Sequence, residues 1–401
     1  MTSVATTPSD IRAVPAVARG FLRLLDSLGA GSLRLVTPSG EHLVFRGEHS
    51  GPDATLRIND WSACGKILKG GDIGVAECYR DELIDTPDLL ALLMLALANQ
   101  DILEQALHGS FWGTLLYRLR HLMNRNTKTG SRKNIHAHYD IGNDFYRLWL
   151  DPSMTYSSAL FHDGTEPLEA AQYAKYDRLL DLLEVKAGDH ILEIGCGWGA
   201  LAERAATRGC RVTGISLSSE QLAHARERVR GTPAERLTDF RFLDYRDLEG
   251  RFDAIVSIEM LEAVGKEFWG GYFNTLRRSL KPGGKAALQT ITIADERFDS
   301  YQSGTDFIQQ YIFPGGMLPS PSALKRHIRH ASLDLLDIHS FGPDYARTLR
   351  LWRENFEAAL PAIRGQGFDE AFIRLWRFYL CYCEAGFLTG RTSVYQVLMT
   401  Y

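Results

Sequence analysis

The sequence predicts an α/β protein in which a doubly wound, mostly parallel sheet follows a smaller α+β unit. From residue 169 onward, apolar runs typical of buried strands alternate with helical patterns, and such alternation places helices on both faces of a parallel sheet. A glycine-rich turn, GCGWG at 195–199, follows the first of these strands. Residues 32–58 instead contain three short strand patterns around a PSGE turn, which indicates a separate α+β unit.

The predicted elements divide the chain into two domains. The N-terminal accessory domain, 1–123, has strands within SLRLVTP, HLVFR and ATLRI, followed by helical patterns. The polar stretch NRNTKTGSRKN at 124–134 lacks periodicity and is predicted to be a basic linker. The second domain, 135–401, has predicted helix 169–184, strand 190–194, helix 200–208, strand 210–216, helix 219–230, strands 239–243 and 253–258, helix 267–280 and strand 284–291.

Composition and charge exclude several classes of protein. The chain has 401 residues, of which 45% are hydrophobic and 23% charged, as is typical of a globular protein with room for two domains. Its net charge of −4 gives no global attraction to nucleic acid. The six cysteines form no C-x-x-C pair, which favours a reducing compartment, and no histidine or cysteine spacing predicts a metal site.

The sequence predicts a cytoplasmic protein attached peripherally to a membrane. The N-terminal residues lack the pattern of a signal peptide, and the apolar run LLALLMLAL at 89–97 is far shorter than the ~20 residues that span a bilayer. From Gln105 to Tyr139 there is no Asp or Glu, and six basic residues lie between 118 and 133 after the apolar helical pattern FWGTLLYRLRHLM. Segment 111–133 is therefore predicted to bind anionic lipid at a membrane surface. The alternative is a solvated basic surface beside a core helix.

Three glycines in five positions, Gly195, Gly197 and Gly199, predict a cofactor-binding turn between a strand and a helix. Glycine permits a positive φ there and removes the Cβ that would keep a ligand from the main chain. Dinucleotides and S-adenosylmethionine both bind at such turns. A dinucleotide site carries an acidic residue about 20 positions further on, where this chain has Ser216. Glu193, just before the turn, suits a sulfonium and an ammonium better than a pyrophosphate.

Other candidate residues lie at the carboxyl ends of strands, where doubly wound sheets bind their ligands. Ser218 and Gln221 also form a capping box that begins helix 219–230. The strand-end candidates are Gly195–Gly199, Ser216, Asp244, Tyr245, Ile258–Glu262 and Gln289–Ile291.

Five longer motifs, in this order, resemble the cyclopropane-fatty-acyl-phospholipid synthase family. They are HYDIGNDFYRLWLDPSMTYSSALF (138–161), LEIGCGWGALA (192–202), FLDYRDLEGRFDAIVSIEMLEAVG (242–265), YIFPGGMLPS (311–320) and FGPDYARTL (341–349). The similarity is close over 135–401 and looser over the accessory domain. The turn LKPGG at 280–284 is also typical of class I methyltransferases. The resemblance implies a Rossmann-like class I methyltransferase fold with S-adenosylmethionine as the cofactor.

The resemblance also implies where the cofactor lies. By motif, Tyr156 and Ser157 meet its methionine end, Ser216 and Gln221 lie toward the ribose and methionine portions, and Asp244 and Tyr245 lie toward the adenine. Together with the strand-end pattern, the predicted cofactor-binding set is Tyr156, Ser157, Glu193, Gly195, Gly197, Gly199, Ser216, Gln221, Asp244, Tyr245 and Ile258.

The substrate implied by the resemblance is the cis double bond of an unsaturated phospholipid acyl chain at an anionic membrane surface. Methyl transfer to this bond leaves a carbocation, so the site must exclude water. Phe307, Tyr311 and Phe313 are candidates to line an apolar slot. The helical stretch FIRLWRFYLCYCEAGF at 372–387 is a further candidate, with ordinary core packing as its alternative.

Ring closure needs a base, and the base that the resemblance implies is a bound bicarbonate. Its ligands correspond by motif to Glu262, Ile291 and Tyr345, and to two positions that depart from the family pattern. Ser158 stands in place of a cysteine and Gln289 in place of a histidine, although both side chains still form hydrogen bonds. A cyclopropane is the expected product, and without the bicarbonate a methyl-branched or methylene chain is the alternative.

Two further hypotheses remain open from the sequence. One is a small-molecule methyltransferase with the same cofactor, and the other is a non-catalytic lipid carrier with the same fold. The sequence also leaves open whether the chain forms a homodimer.

Overall fold

The computed structural model describes residues 14–107 and 141–401, apart from the side chains of 104–107. The first range contains α1 (Ala16–Asp26), β1 (Ala30–Val36), β2 (His42–Arg46), β3 (His49–Ile58), α2 (Ser62–Arg80), β4 (Ile84–Asp85), α3 (Leu89–Ala98) and α4 (Gln100–Leu107). Its four strands form one sheet in the order β2-β1-β3-β4, in which β1 pairs antiparallel with β2 and parallel with β3. The three strands predicted within 32–58 are therefore confirmed.

The second range contains a seven-stranded sheet with helices around it. Its elements are α5 (Asn143–Tyr146), α6 (Leu168–Leu182), β5 (His190–Ile194), α7 (Ala200–Thr207), β6 (Arg211–Ser216), α8 (Ser219–Val229), β7 (Thr238–Phe242), β8 (Phe252–Ile258), α9 (Trp269–Ser279), β9 (Leu280–Ile293), α10 (Asp295–Ser303), α11 (Pro321–His330), β10 (Asp334–Ser340), α12 (Gly342–Ala358), α13 (Leu360–Gly365), α14 (Glu370–Leu388) and β11 (Thr392–Thr400). The strand order is β10-β11-β9-β8-β5-β6-β7.

The parallel, doubly wound part of this sheet confirms the predicted fold class. Strands β5 to β9 pair in parallel, and β11 pairs antiparallel with β9 and β10. The predicted helices and strands between 169 and 291 overlap observed elements. β9 differs most, since it begins at Leu280 rather than at 284 and the KPGG turn is already part of the paired strand.

The strand order creates a crevice beside β5. After β5 the chain continues to β6 and β7 on one side, then returns to β8 on the other side. Ligands in doubly wound sheets bind outside the carboxyl ends of the strands at such a reversal. The turn after β5 and the segment after β8 therefore border the same crevice, which brings Gly195–Gly199 and Ile258–Glu262 together.

Helix α14 joins the two sheets. It packs against α2 and α3 of the first unit and against α12 of the second. Arg374, which is 8% exposed, donates from Nε to the Tyr79 carbonyl at 2.5 Å and from Nη2 to the Ile84 carbonyl at 3.1 Å. One apolar cluster spans both units, with Leu93 and Trp376 among its members. The predicted linker lies outside the described residues, so the domain boundary at 124–134 stays a prediction.

The described helices include none that is long and apolar enough to cross a bilayer. Segment 111–133, on which the predicted membrane attachment depends, lies outside the described residues.

Candidate active site

The turn after β5 places glycines where the backbone requires them. Gly195, Gly197 and Gly199 have φ values of 84°, 49° and 85°, in a region that residues with a Cβ rarely adopt. A Cβ on Gly195 would lie 3.0 Å from Met260 Cγ, whereas a Cβ on Gly197 would meet no protein atom within 4 Å. Open space therefore borders the main chain at Gly197, as the approach of a ligand requires.

Glu193 lies beside this turn as a buried carboxyl. The residue is 4% exposed, and burial raises the pKa of its carboxyl well above the usual range. Its Oε2 has no hydrogen-bond partner among the described residues. A buried acceptor without a partner costs free energy unless a ligand satisfies it. The position thus fits a cofactor with a sulfonium and an ammonium group.

The end of β6 and the start of α8 form a hydrogen-bonded corner. Ser216 Oγ donates to Gln221 Oε1 at 3.1 Å and accepts from the Ser218 N–H at 3.1 Å. The Gln221 N–H donates to Ser218 Oγ at 3.2 Å, so Ser218 is the N-cap of α8 as predicted. Beside this corner, Trp198 Nε1 donates to Asn143 Oδ1 at 2.7 Å, and Asn143 Nδ2 donates to the Glu220 carbonyl at 3.4 Å. Asn143, which the sequence analysis did not identify, ties α5 to the glycine turn.

Asp244 has an ion-pair partner that the sequence analysis missed. Its carboxylate, in a residue 5% exposed, accepts from Arg246 Nε at 2.8 Å and from Arg246 Nη2 at 2.6 Å. The Tyr245 ring lies edge-on to Tyr272, with 5.5 Å between ring centroids. Because Arg246 engages both carboxylate oxygens, it fixes the orientation of Asp244. Contact of Asp244 and Tyr245 with the adenine stays a prediction.

Ser158, Gln289 and Tyr345 converge in space, and the group on which they converge is Glu259. The Ser158 N–H donates to Glu259 Oε1 at 2.9 Å, Gln289 Nε2 donates to the same oxygen at 2.8 Å, and the Tyr345 hydroxyl donates to Oε2 at 2.7 Å. The sequence analysis placed Glu259 at the end of a strand but gave it no role. The structure thus brings the Gln289 and Tyr345 side chains and the Ser158 N–H onto a protein carboxylate, whereas Ser158 Oγ donates to the Ala159 carbonyl at 2.9 Å.

The backbone of Glu259 has an uncommon conformation. Its φ is 49°, in the left-handed region that non-glycine residues seldom occupy, and such strain concentrates at functional sites. Burial raises the pKa of the Glu259 carboxyl, while the positive charge of Lys175 and the three hydrogen-bond donors oppose that rise. This conformation could not be predicted from the sequence, because the residue type of a glutamate does not indicate whether its φ is positive.

Glu262 lies three residues further along and has different partners. Its Oε1 accepts from the Ile291 N–H at 2.5 Å and from Thr290 Oγ1 at 2.9 Å. Its Oε2 is buried and has no hydrogen-bond partner within the described parts of the chain. Burial, together with the negative charge of Glu259, raises the pKa of Glu262 to about 8. The Ile291 N–H, which the resemblance assigns to a bicarbonate, therefore binds the Glu262 carboxyl here.

Tyr156 and Ser157 border the site that contains the Glu259 and Glu262 carboxyls. The Tyr156 hydroxyl lies 2.7 Å from the Tyr379 hydroxyl. Ser157 Oγ accepts a hydrogen bond from Lys175 Nζ, and the Ser157 carbonyl accepts from Gln172 Nε2 at 2.9 Å. Lys175 is 0% exposed and was also missed by the sequence analysis, since a lysine within an ordinary helical pattern gives no sign of burial.

An aromatic wall surrounds Tyr156. Its ring centroid lies 5.3 Å from that of Trp352, 5.5 Å from that of Trp149 and 6.4 Å from that of Phe313. Phe313 also contacts Tyr379 of α14, at 6.3 Å between centroids. Phe313 and Tyr379 of the C-terminal aromatic helix thus lie next to Tyr156, and the apolar slot itself stays a prediction.

The other two predicted slot residues, Phe307 and Tyr311, lie against the N-terminal unit. The Phe307 N–H donates to Asp72 Oδ2 at 3.1 Å, and the Tyr311 hydroxyl donates to Glu77 Oε1 at 2.5 Å. Both acceptors belong to α2. A π-helical turn at Ile308–Ile312 carries the chain from this contact to Phe313. Phe307 and Tyr311 therefore join the two units, and the assignment of these two residues and Phe313 to the slot stays a prediction.

No group of three or more His, Cys, Asp or Glu side chains that could hold a metal ion occurs in the part of the chain that the structure describes.

Comparison with known proteins shows the family. A family model described as mycolic acid cyclopropane synthetase matches residues 126–397. The tuberculostearic acid methyltransferase UfaA1 of Mycobacterium tuberculosis is 38% identical over 96% of this chain and 93% of that protein. The cyclopropane-fatty-acyl-phospholipid synthase of Escherichia coli is 35% identical over 86% of this chain and 88% of that protein. This chain belongs to the cyclopropane synthase family.

A solved structure supports the same assignment. The crystal structure of mycolic acid cyclopropane synthase CmaA1 complexed with SAH and CTAB aligns with a TM-score of 0.64 and 31% identity. It covers 67% of this chain and 98% of that chain. This member of the cyclopropane synthase family is therefore an S-adenosylmethionine-dependent methyltransferase that modifies acyl chains of lipids. The predicted family, fold class and cofactor are confirmed, and the alternative of a non-catalytic lipid carrier is wrong.

Proposed function

We propose that this enzyme methylates the cis double bond of an unsaturated phospholipid acyl chain and uses Glu259 as its base. The contacts of the Glu259 carboxylate carry the proposal. Ser158, Gln289 and Tyr345, which the resemblance assigns to a bound bicarbonate, all donate hydrogen bonds to Glu259 instead. A protein carboxylate in the position of the anion supports a reaction that needs no bicarbonate.

The two carboxyls have different protonation states in this proposal. Because the pKa of Glu262 is raised to about 8, its neutral form predominates near pH 7. Glu259 then remains the charged carboxylate, since two like charges in one buried site disfavour each other. Groups whose environments separate their pKa values are candidates for distinct acid and base roles. Glu259 is thus suited to accept a proton and Glu262 to stay protonated beside it.

The aromatic wall supports the reaction by excluding water and offering π-faces to a cation. S-adenosylmethionine, when bound, supplies an electrophilic methyl group. The electron pair of the double bond forms the new carbon–carbon bond and leaves a positive charge on the adjacent chain carbon. The rings of Tyr156, Trp149, Trp352 and Phe313, which pack against one another, are the π-faces that the proposal assigns to this charge.

The product that these contacts favour is a methylated chain that retains a double bond. A hydride shift then moves the charge to the methyl-bearing carbon, where it is more stable because that carbon is tertiary. Glu259 then takes a proton from a neighbouring carbon, and the C–H electron pair forms the double bond. Relatives named as methyltransferases support this choice, including the probable fatty acid methyltransferase of Pseudomonas putida, 40% identical over 66% of this chain.

A cyclopropane chain, the product expected from the sequence, is the second candidate. It is favoured by the similarity to the Escherichia coli synthase.

The proposal is tested by measuring turnover on vesicles of unsaturated phospholipid. The rate is measured in carbonate-free buffer and again after bicarbonate is added. We expect equal rates in both buffers and a product that ozonolysis cleaves at its double bond. Mass alone does not distinguish the candidates, because both gain one CH₂. In the same assay Glu259→Gln should lose about 10²–10⁴ in rate. Bicarbonate-dependent turnover to an ozone-resistant product would contradict the proposal.

A further inference from the structure

Lys175 is fully buried and lies next to the active site. It belongs to α6, is 0% exposed, and donates from Nζ to Ser157 Oγ. The Tyr176 ring lies on one side of Nζ, with 4.9 Å between Nζ and the ring centroid. A buried ammonium is costly unless other groups compensate its charge. The packing of α6 alone therefore does not explain why a lysine occupies this buried position.

Two routes of hydrogen bonds connect Lys175 with Glu259. In the first, Nζ holds Ser157, and the next residue, Ser158, donates its N–H to Glu259 at 2.9 Å. In the second, Gln396 Nε2 lies 3.4 Å from the Lys175 carbonyl and 3.0 Å from Gln289 Oε1. Gln289 in turn donates to Glu259 at 2.8 Å. The Lys175 side chain is thus connected with the Ser158 N–H through Ser157, whereas Gln289 is connected only with the Lys175 backbone.

The charges around Lys175 and Glu259 are few. Glu259 and Asp151 face Lys175, and burial lowers the pKa of Lys175 to about 7 against their attraction. Lys175 and the Tyr345 hydroxyl face Glu259, and Glu262 adds a second carboxyl beside it. Lys175 is the nearby cation that favours the charged form of Glu259 in this set.

We propose that Lys175 is a positioning residue for methyl transfer, which holds Ser157 at the methionine end of the cofactor and keeps Glu259 ionised. This inference rests on the proposed function, in which Glu259 is the base. It assigns Lys175 two separable effects, one through the hydrogen bond to Ser157 and one through its charge. Without the charge, the buried Glu259 carboxyl binds its proton more tightly and accepts a new one only at higher pH.

Lys175→Met and Lys175→Gln separate the two effects. Methionine removes both the charge and the donor, whereas glutamine removes the charge and keeps a donor. Lys186→Met is the matched control, because Lys186 is exposed and lies just beyond α6. The measurements are the pH dependence of turnover on unsaturated phospholipid vesicles and calorimetric titration with S-adenosylmethionine, after thermal melting has confirmed folding.

In both Lys175 variants we expect the acidic limb of the pH–rate profile to move upward by about one unit or more. Lys175→Met should also weaken S-adenosylmethionine binding about tenfold, as expected for loss of one hydrogen bond near 1.4 kcal/mol, and Lys175→Gln should recover part of that loss. Lys186→Met should match the wild type in both measurements.

A folded Lys175→Met with an unshifted profile would contradict the proposal, and so would failure of both variants to fold, which would assign Lys175 a structural role. Failure of this inference can be distinguished from failure of the proposed function. If Glu259→Gln retains turnover, Glu259 is not the base, whereas an unshifted Lys175→Met profile in an enzyme that Glu259→Gln inactivates contradicts the role of Lys175 alone.

Discussion

Glu259 and Glu262 have different partners because the chain turns sharply between them. Glu259 has a positive φ, and a short 3₁₀ turn at Leu261–Ala263 follows it. The turn directs the first carboxylate toward Ser158, Gln289 and Tyr345 and the second toward the Ile291 N–H. At the scale of single residues, a local backbone feature therefore gives the two carboxyls different partners, and the proposed function assigns the first as base and the second as a neutral acid.

Gly197→Val should abolish S-adenosylmethionine binding in a folded protein. The valine side chain would occupy the open space beside the main chain where we expect the cofactor. Gly283→Val is the matched control, because Gly283 also has a positive φ, 76°, and open space around it. Strain from a Cβ in this region costs both variants about 1–2 kcal/mol. Calorimetric titration showing wild-type affinity in folded Gly197→Val would refute this assignment of the turn.

Glu262→Gln should make stability less dependent on pH. The pKa of Glu262 is about 8 in the folded protein, against a reference value of 4.5. Between these values the folded state holds a proton that the unfolded state has lost, so stability falls as pH rises through this window. Glutamine cannot titrate, and the melting temperature should therefore fall less from pH 5 to pH 8. Glu296→Gln, at an exposed site, serves as the control, and parallel curves for all three proteins would exclude the effect.

The sequence predicts many of these residues and misses others for definable reasons. Ser158, Glu262, Gln289, Ile291 and Tyr345 follow from motifs and from the rule that ligands bind at strand ends, and they do converge. Glu259 was missed because its role depends on a positive φ, which a sequence pattern does not encode for glutamate. The burial of Lys175 and the pairing of Arg246 with Asp244 depend on tertiary packing around single helical or loop positions.

Among the secondary-structure elements, α14 has the most extensive role, because it contacts both units. Its residue Tyr379 reaches the active site through the Tyr156 hydroxyl, while Arg374 binds carbonyls of the N-terminal unit. The sequence leaves this aromatic stretch as either slot or core; the structure places most of it in the core, and the slot stays a prediction. The helices and strands with clear periodicity were predicted within a few residues, whereas the position of α14 between two units is a tertiary property.

Arg374→Met should lower the free energy of unfolding by about 2 kcal/mol, because buried carbonyls lose a charged donor. Arg364→Met is the control, since Arg364 pairs with Glu370 at the surface, where the side chains are 51% and 43% exposed. Such exposed pairs contribute less than about 1 kcal/mol. Urea denaturation followed by circular dichroism measures both, and equal losses in the two variants would show that Arg374 does not join the units.

At the scale of the whole molecule, the proposed function requires the enzyme to reach an acyl chain that lies in a bilayer. We predict that the basic residues between 118 and 133 provide this attachment. Replacing Arg125, Lys128, Arg132 and Lys133 by Gln should weaken binding to anionic vesicles roughly a thousandfold, at about 1 kcal/mol for each charge near the surface. Added salt should weaken the wild type in the same direction.

The control for this prediction carries the same change of charge elsewhere. It replaces four exposed arginines on the second domain by Gln, at Arg230, Arg236, Arg241 and Arg251. Vesicle co-sedimentation compares the three proteins on anionic and on neutral lipid. Equal binding by both quadruple variants, or binding that ignores salt, would exclude segment 111–133 as the attachment site.

The central claim is that Glu259 occupies the place of a bicarbonate, and turnover of Glu259→Gly with and without bicarbonate tests it most directly. Glycine suits the positive φ and leaves a space beside Ser158, Gln289 and Tyr345 into which a small anion fits. Glu82→Gly is the matched control, since Glu82 is an exposed glutamate with a φ of 57°. We predict that Glu259→Gly is nearly inactive in carbonate-free buffer and recovers activity on addition of bicarbonate. The wild type and Glu82→Gly should have the same turnover rate with and without bicarbonate. Full activity of Glu259→Gly without bicarbonate, or a wild-type enzyme that requires it, would contradict the claim.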